Sequence, residues 1–319
     1  MDIRTLADSI QEQAEKIIVG KSDRIRLIVM AVLAGGHVLL DDLPGVGKTT
    51  LVKTVSLALG CQSGRIQFVP DMLPSDIIGM RIFNQKTGDF ELRQGPVMTN
   101  ILLADEINRA IPRTQSALLE AMEERQISID GEQFPLPKPF LVLATQNPVE
   151  SESTFRLPAA QMDRFLIRIT MGYPSPEEER NMLHRLGDEI PFHTIVPVTN
   201  AAALVQAQEE IRNVHLSDRV ADYIVALADA TRNHPQLVMG ASPRATRNLY
   251  RACKVWAAME GRDFVTPDDV KALAHPVLEH RLVLESSARF SGITACSVLD
   301  DILARVPAAP EADSAAHER

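Results

Sequence analysis

Short apolar runs separated by longer amphipathic stretches dominate the first half of the chain. His37–Asp41 (HVLLD), Arg65–Val69 (RIQFV), Asn100–Asp105 (NILLAD), Phe140–Thr145 (FLVLAT) and Phe165–Thr170 (FLIRIT) are each nearly continuous in apolar or β-branched residues. Runs of this length and character suit strands of a parallel sheet covered on both faces. Between several of them the spacing changes to the helical period, as in TTLVKTVSLAL and RTQSALLEAMEER. Such alternation predicts an α/β domain built on a doubly wound parallel sheet. The start, MDIRTLADSIQEQAEKI, has the spacing of an amphipathic helix.

Two segments interrupt the alternation. Met80–Arg93 places a polar turn with Gly88 between two short β-rich runs, and Arg125–Pro137 contains Asp130-Gly131, a strong signal for a two-residue hairpin turn. Both predict β-hairpin inserts projecting from the sheet domain. After GYPSPEEER the strand signal fades. Helices are predicted at Pro176–Leu186, Ala201–Arg212, Ser217–Arg232, Ser242–Glu260 and Pro267–Leu278, two of them opened by a Ser/Thr cap followed by Pro and acid. The expected organisation is an α/β domain over 1–172, a small all-α domain over 173–307 and a disordered tail over 308–319.

Composition narrows the class. The 319 residues are 45% apolar but only 4% aromatic, so the core is built from Leu, Ile, Val and Ala. The longest apolar runs, such as LIVMAVLAGG (Leu27–Gly36), fall short of the roughly 18 residues that argue for a membrane span, and the start does not resemble a signal peptide. Cys61, Cys253 and Cys296 are odd in number and far apart, which argues against a disulfide framework or a zinc knuckle and fits a reducing cytoplasm. The net charge of −9 lacks the basic footprint that favours nucleic-acid binding.

The candidate chemistry starts at LDDLPGVGKTT. A strand leads in and a helix leads out, the context a phosphate-binding loop needs. Backbone N–H groups of Gly45, Val46, Gly47, Lys48 and Thr49 can point at phosphate oxygens, and the helix N-terminus favours the anion. Pro44 and Thr50 flank that cradle. Lys48 is expected on the β- and γ-phosphates and the Thr49 hydroxyl on Mg²⁺. The loop departs from the usual pattern at Asp42, where glycine is common; its carboxylate is expected to point away from phosphate, onto loop N–H groups or a nearby base. Downstream, an apolar strand ends in Asp105-Glu106. Adjacent acids at a buried strand tip need partners, and a nucleotide site supplies them: Asp105 for Mg²⁺, Glu106 for the attacking water. Asn147 ends another strand, where an amide can orient a water near the γ-phosphate. Arg164 precedes the last strand and Arg244 opens a helix of the second domain, with Arg247 three residues on as a rival; arginine's planar, permanently charged fork suits phosphate.

This order of features resembles AAA+ ATPases, and more closely the MoxR group. The likeness is carried by GGHVLL, PGVGKT, RIQFVPDMLPSDIIG, GPVMTNILLADEINRAIPRTQSALLEAMEERQISIDG, LVLATQNPVE, LPAAQMDRF and GASPRA, from about Ile18 to about Ala304. The resemblance implies that Lys48 and Thr49 belong to Walker A, Asp105 and Glu106 to Walker B, Asn147 to sensor 1, Arg164 to an arginine finger acting in trans and Arg244 to sensor 2. It implies that Val19 and Gly20 pack on adenine, and that the hairpins are the helix-2 and pre-sensor-1 inserts. It implies ATP with Mg²⁺, a homo-oligomeric ring, usually a hexamer, and chaperone-like maturation of client proteins, often with a von Willebrand factor A domain and sometimes in metal or cofactor insertion. Arg156 stands where the family's pattern has Pro, in the loop leading to the finger.

Two other functions fit parts of the chain. A nucleic-acid-dependent motor of the helicase type would share the hairpins, but these carry Lys86 and Arg93 against Asp89 and Glu91, and Arg125 and Lys138 against Asp130 and Glu132. A small-molecule kinase would share the phosphate loop, but the acid pair, the two arginines and the helical second domain suit a ring ATPase better.

Overall fold

The computed structural model describes residues 2–41, 45–147, 154–186 and 190–308. Asp42 and Pro44, and the expected tail beyond Ala308, lie outside the described residues. The chain divides into two compact units, Met1–Arg212 and Asn213–Arg319.

The first unit opens with helices α1 (Ile3–Glu15) and α2 (Ser22–Leu33). Ile3, Leu6, Ala7, Ile10 and Ala14 recur at helical spacing on α1 and are all buried. Strand β1 (Val38–Asp41) leads through the phosphate-loop segment to α3 (Lys48–Ala58), which buries Leu51, Val55 and Ala58 along one face. Next come β2 (Ser63–Gln67), the short α4 (Pro74–Ile78), the hairpin β3 (Gly79–Asn84) and β4 (Asp89–Gln94), and β5 (Ile101–Asp105). Helix α5 (Pro112–Glu124) is followed by the second hairpin, β6 (Gln126–Ile129) and β7 (Glu132–Pro135). The unit closes with β8 (Leu141–Gln146), α6 (Ala159–Met162), β9 (Ile167–Ile169), α7 (Pro176–Leu186) and α8 (Ala201–Glu210).

The five predicted strands form one sheet in the order β2-β5-β8-β1-β9, parallel throughout. β5 is buried along its whole length and β8 along all but its last residue, as continuous apolar runs require. β2 departs from the expectation. It is an edge strand, and Arg65 and Gln67 stay exposed on either side of buried Ile66.

Because the strands are parallel, their C-terminal ends share one edge. Asp41 lies beside Gln146, and Gln67 beside Asp105. At the opposite edge, His37 joins three elements. Its Nδ1 accepts from the Val142 N–H at 3.0 Å, which leaves Nε2–H to donate to the Met122 carbonyl of α5 at 3.1 Å. Arg125, just after α5, adds bonds to the carbonyls of Gly35 and Phe140. The end of α5 is thus fixed to the sheet's N-terminal edge.

Both inserts are hairpins. In the second, Ile129 pairs with Glu132 across Asp130-Gly131, whose φ values of 51° and 83° are those of a type I′ turn. In the first, Phe83 faces Phe90 edge-to-face at 5.4 Å, and both rings remain largely exposed, as do Met80 and Ile82. Its root is tight: Gly79 has φ +100° and a Cβ there would stand 2.3 Å from the Arg93 carbonyl oxygen, so glycine is required.

The sequence reading groups residues from 173 onward with the helical domain, whereas the described residues between Tyr173 and Arg212 lie in the first unit. Hydrogen bonds show why: Lys21 Nζ donates to the Tyr173 carbonyl, Val196 N–H to Gln13 Oε1, Val198 N–H to the Ala58 carbonyl and Gln208 Nε2 to the Val32 carbonyl.

The second unit contains α9 (Asp218–Arg232), β10 (Leu237–Met239), α10 (Pro243–Met259), α11 (Pro267–Leu278), β11 (Val283–Leu284), α12 (Ser286–Phe290) and α13 (Ala295–Arg305). It is helical apart from the two-stranded antiparallel ribbon β10-β11. Side-chain oxygens of Ser217, Ser242, Thr266 and Thr294 cap α9, α10, α11 and α13. No helix among the described residues is long and apolar enough to cross a membrane.

Candidate functional site

The C-terminal edge of the sheet collects the candidate groups. At the end of β1, Gly45 and Gly47 take φ values of 82° and 81°, and a Cβ at either would meet nothing within 4 Å. The backbone turn needs glycine at both positions, and nothing is packed where either side chain would start. Helix α3 starts at Lys48 with no capping side chain and no acid in its first turn. The dipole of such a helix start favours an anion. Lys48 is 8% exposed. Asp41, just before the loop, pairs with Arg168 of β9, Nε to Oδ2 at 3.5 Å.

Two strands away, β5 delivers the acid pair. Asp105 is 8% exposed; its Oδ1 accepts from the Thr145 hydroxyl at 2.7 Å and its Oδ2 from Arg65 Nη2 at 2.9 Å. Glu106 adopts φ 55°, a left-handed conformation uncommon for a side-chain-bearing residue, and this turns it out of the strand direction. Its N–H donates to the Thr145 hydroxyl oxygen at 2.8 Å. Its Oε2 accepts from Gln67 Nε2 at 2.8 Å and pairs with Arg109 Nη1 at 3.2 Å.

Thr145, fully buried on β8, accepts a hydrogen bond from the Glu106 N–H and donates one to Asp105, holding both acids through a single hydroxyl. Replacing it with valine keeps the shape but leaves two buried polar groups unmet, at about 1–3 kcal/mol for each. Thr145→Val is expected to lower the urea unfolding midpoint and to reduce ATP turnover by more than the stability loss explains; unchanged turnover in the folded variant would remove Thr145 from the site.

Asn147, at the tip of β8, is 3% exposed. Its backbone is latched to Asn108: Asn108 Nδ2 donates to the Asn147 carbonyl at 3.1 Å, and the Asn147 N–H donates to Asn108 Oδ1 at 3.3 Å. The turn after Glu106 is tied onward. The Phe155 N–H donates to the Asn108 carbonyl at 2.7 Å, and Gln115 Nε2 donates to the carbonyls of Ile107, Ala110 and Phe155. The acid pair, the Asn147 tip and the segment leading to Arg164 therefore form one connected network. Arg156, the departure in that segment, is exposed beside buried Leu157.

Arg164 lies elsewhere. It precedes β9, whose Ile167 is level with Val38, the first residue of β1, so Arg164 stands at the sheet's N-terminal edge. There its Nη2 pairs with Glu123 Oε2, near the end of α5, at 3.1 Å. The acids and the phosphate loop occupy the other edge, and the chain's own Arg164 is not brought to them. Val19 and Gly20 connect α1 to α2; Gly20 has φ +71°, and a Cβ there would stand 1.9 Å from Glu178 Oε1. That carboxylate accepts from the Ser175 N–H at 2.6 Å, which, with the charge of Lys21, holds it below the usual carboxylate range. Arg244 sits in the first turn of α10 in the second unit, partly buried, whereas Arg247 is exposed.

Arg65, Gln67, Asn108, Arg109 and Thr145 escape a reading of the sequence. Arg65 and Gln67 did leave a signal: two polar residues at period two in an otherwise apolar strand project on one face.

A phosphate cradle at one strand tip with an acid pair two strands away defines a P-loop ATPase. The family described as "ATPase family associated with various cellular activities (AAA)" matches residues 37–167, and the AAA lid domain matches 229–302. The chain is 44% identical to Chaperone MoxR1 of Mycobacterium tuberculosis, over 96% of this chain and 82% of that protein, and 33% identical to Protein MoxR of Methylorubrum extorquens, over 89% of each. It is 46% identical to the uncharacterized protein YeaC of Bacillus subtilis, over 96% and 95% of the two chains. A crystal structure of a Cytophaga hutchinsonii protein superposes with a TM-score of 0.90 at 38% identity, covering 96% of this chain and 95% of that one. The chain belongs to the MoxR family of AAA ATPases.

Proposed function

We propose that this protein is a Mg²⁺-dependent ATPase that works as a homo-oligomeric ring, a hexamer by family resemblance, and spends ATP on remodelling client proteins. The residues fit the phosphates and the metal: a glycine turn before a helix with no acid in its first turn, and a buried carboxylate at a strand tip two strands away. Backbone N–H groups over Gly45–Thr50 and the Lys48 ammonium bind the phosphates. Thr49 and Asp105 hold the metal, and Val19 and Gly20 flank the base. Mg²⁺, when bound, neutralises charge developing on the β- and γ-phosphate oxygens.

Glu106 polarises the attacking water and Asn147 orients it. With Oε2 held by Gln67 and Arg109, Glu106 has Oε1 for that water. Arg244, in the first turn of α10, is the sensor 2 candidate by the family resemblance. The observation that supports the ring reading is the position of Arg164 at the edge opposite the acids of its own chain, where it is left for a neighbouring copy's site. ATP turnover per chain should therefore rise with protein concentration over the range where light scattering shows assembly. Turnover per chain that stays constant down to monomer would overturn the ring reading.

The client is read as a protein, which the name of the relative Chaperone MoxR1 supports, with von Willebrand factor A domain proteins and metal or cofactor insertion as the classes the family resemblance suggests. The first hairpin also supports a protein client, since it exposes Met80, Ile82, Phe83 and Phe90 instead of a basic surface. A nucleic-acid motor would present lysine and arginine to the phosphate backbone.

A further inference from the structure

The second unit carries a cluster of metal-binding side chains that the ATPase does not use. His275 on α11 and Glu279, the residue that closes that helix, are four residues apart; on α13, Cys296 and Asp300 are one turn apart. The two helices pack together, so both pairs face one spot. One ligand atom from each of His275, Cys296 and Asp300 lies within 4.8 Å of the other two. The Cys296 Sγ is 3.8 Å from His275 Nδ1 and 3.8 Å from Asp300 Oδ2, while His275 Nε2 is 3.0 Å from Asp300 Oδ1 and His275 Nδ1 is 3.4 Å from Glu279 Oε2.

We propose that His275, Cys296 and Asp300 bind a zinc ion that staples α13 to α11. Bond lengths of about 2.0–2.3 Å put tetrahedral ligands roughly 3.3–3.8 Å apart, so closing the site takes small movements of side chains that are at least partly exposed. The donor set of one imidazole, one thiol and one carboxylate suits Zn²⁺; Mg²⁺ and Ca²⁺ take oxygen sets. Glu279 is the nearest group for the fourth position. Charge points the same way. A single imidazole faces two carboxylates and a thiol. A divalent cation offsets those charges and takes the thiol as thiolate, releasing its proton. Cysteine spacing argues against a zinc knuckle, but this set uses a single cysteine joined to a histidine and an acid by helix packing, which spacing cannot announce.

The test uses the metal-free full-length chain titrated with Co²⁺ alone, since Co²⁺ occupies tetrahedral zinc sites and shows a near-ultraviolet charge-transfer band when a thiolate binds it. One equivalent should develop the band, and Zn²⁺ should bleach it and raise Tm. Cys296→Ser should lose the band, and His275→Gln and Asp300→Asn should each weaken binding by at least about tenfold. Circular dichroism of each variant without metal should match the parent, because Cys296 and Asp300 are exposed and His275 is half-exposed. Absence of the band in the parent, its survival in Cys296→Ser, or unchanged affinity in His275→Gln would overturn the proposal; survival would place the thiolate at Cys61 or Cys253 instead.

Discussion

Replacing Glu106 with glutamine is expected to lower ATP turnover by roughly 10²–10⁴-fold, the usual contribution of a positioned base, while nucleotide affinity stays within a few-fold. The substitution keeps the size of the side chain and an oxygen for the Gln67 and Arg109 donors, so the turn at φ 55° has no reason to rearrange. What is lost is the carboxylate that faces the water. Single-turnover phosphate release, beside titration with a fluorescent nucleotide, separates the two effects. Turnover within fivefold of the parent would mean that Glu106 is held at the strand tip for structural reasons alone.

Replacing Arg164 with alanine is expected to be as severe for a different reason. A finger that stabilises charge on the transferring phosphoryl group is worth about 10³–10⁵ in turnover. The side chain touches neither the phosphate loop nor the acid pair of its own chain, so the variant should bind nucleotide and fold like the parent. Its ion-pair partner Glu123 is partly exposed, so water can take over that contact. A variant that loses nucleotide affinity in step with turnover would instead place Arg164 in its own chain's binding site.

Much of this architecture is legible in the sequence because it is local. The strand, glycine turn and helix around Lys48 follow one another without interruption, and the five apolar runs announce a parallel sheet, buried on both faces along β5 and β8 but not at its edge strand β2. Asp130-Gly131 fixes the second hairpin by turn chemistry alone. The misses are tertiary. Thr145 reads as one more β-branched strand residue until β5 and β8 are paired and its hydroxyl falls between Asp105 and the Glu106 amide. Arg65 and Gln67 look like solvated positions until β2 is placed at the sheet's edge beside β5. The division after Arg212 is hidden for a similar reason. Helical periodicity marks α7 and α8 as helices, but their attachment to α1, α2 and α3 depends on bonds to Glu15, Val32 and Ala58 that no local pattern encodes. Arg164 is legible as a residue type; its separation from the acids follows from strand direction and register.

Asp42 remains the variant feature of the phosphate loop. Beside it, Asp41 is already engaged by Arg168, and the glycines after it keep an open cradle.

The central claim is that each site is completed by a second copy of the chain, and mixing two dead variants tests it most directly. Arg164→Ala keeps an intact loop and Glu106, whereas Glu106→Gln keeps Arg164. Each alone should be nearly inactive. Mixed in equal amounts under assembling conditions, they should recover turnover, because about one interface in four in a randomly mixed head-to-tail ring joins an intact acid pair to an intact finger. No recovery, in mixtures shown by scattering to co-assemble, would contradict the account and return Arg164 to a role within its own chain.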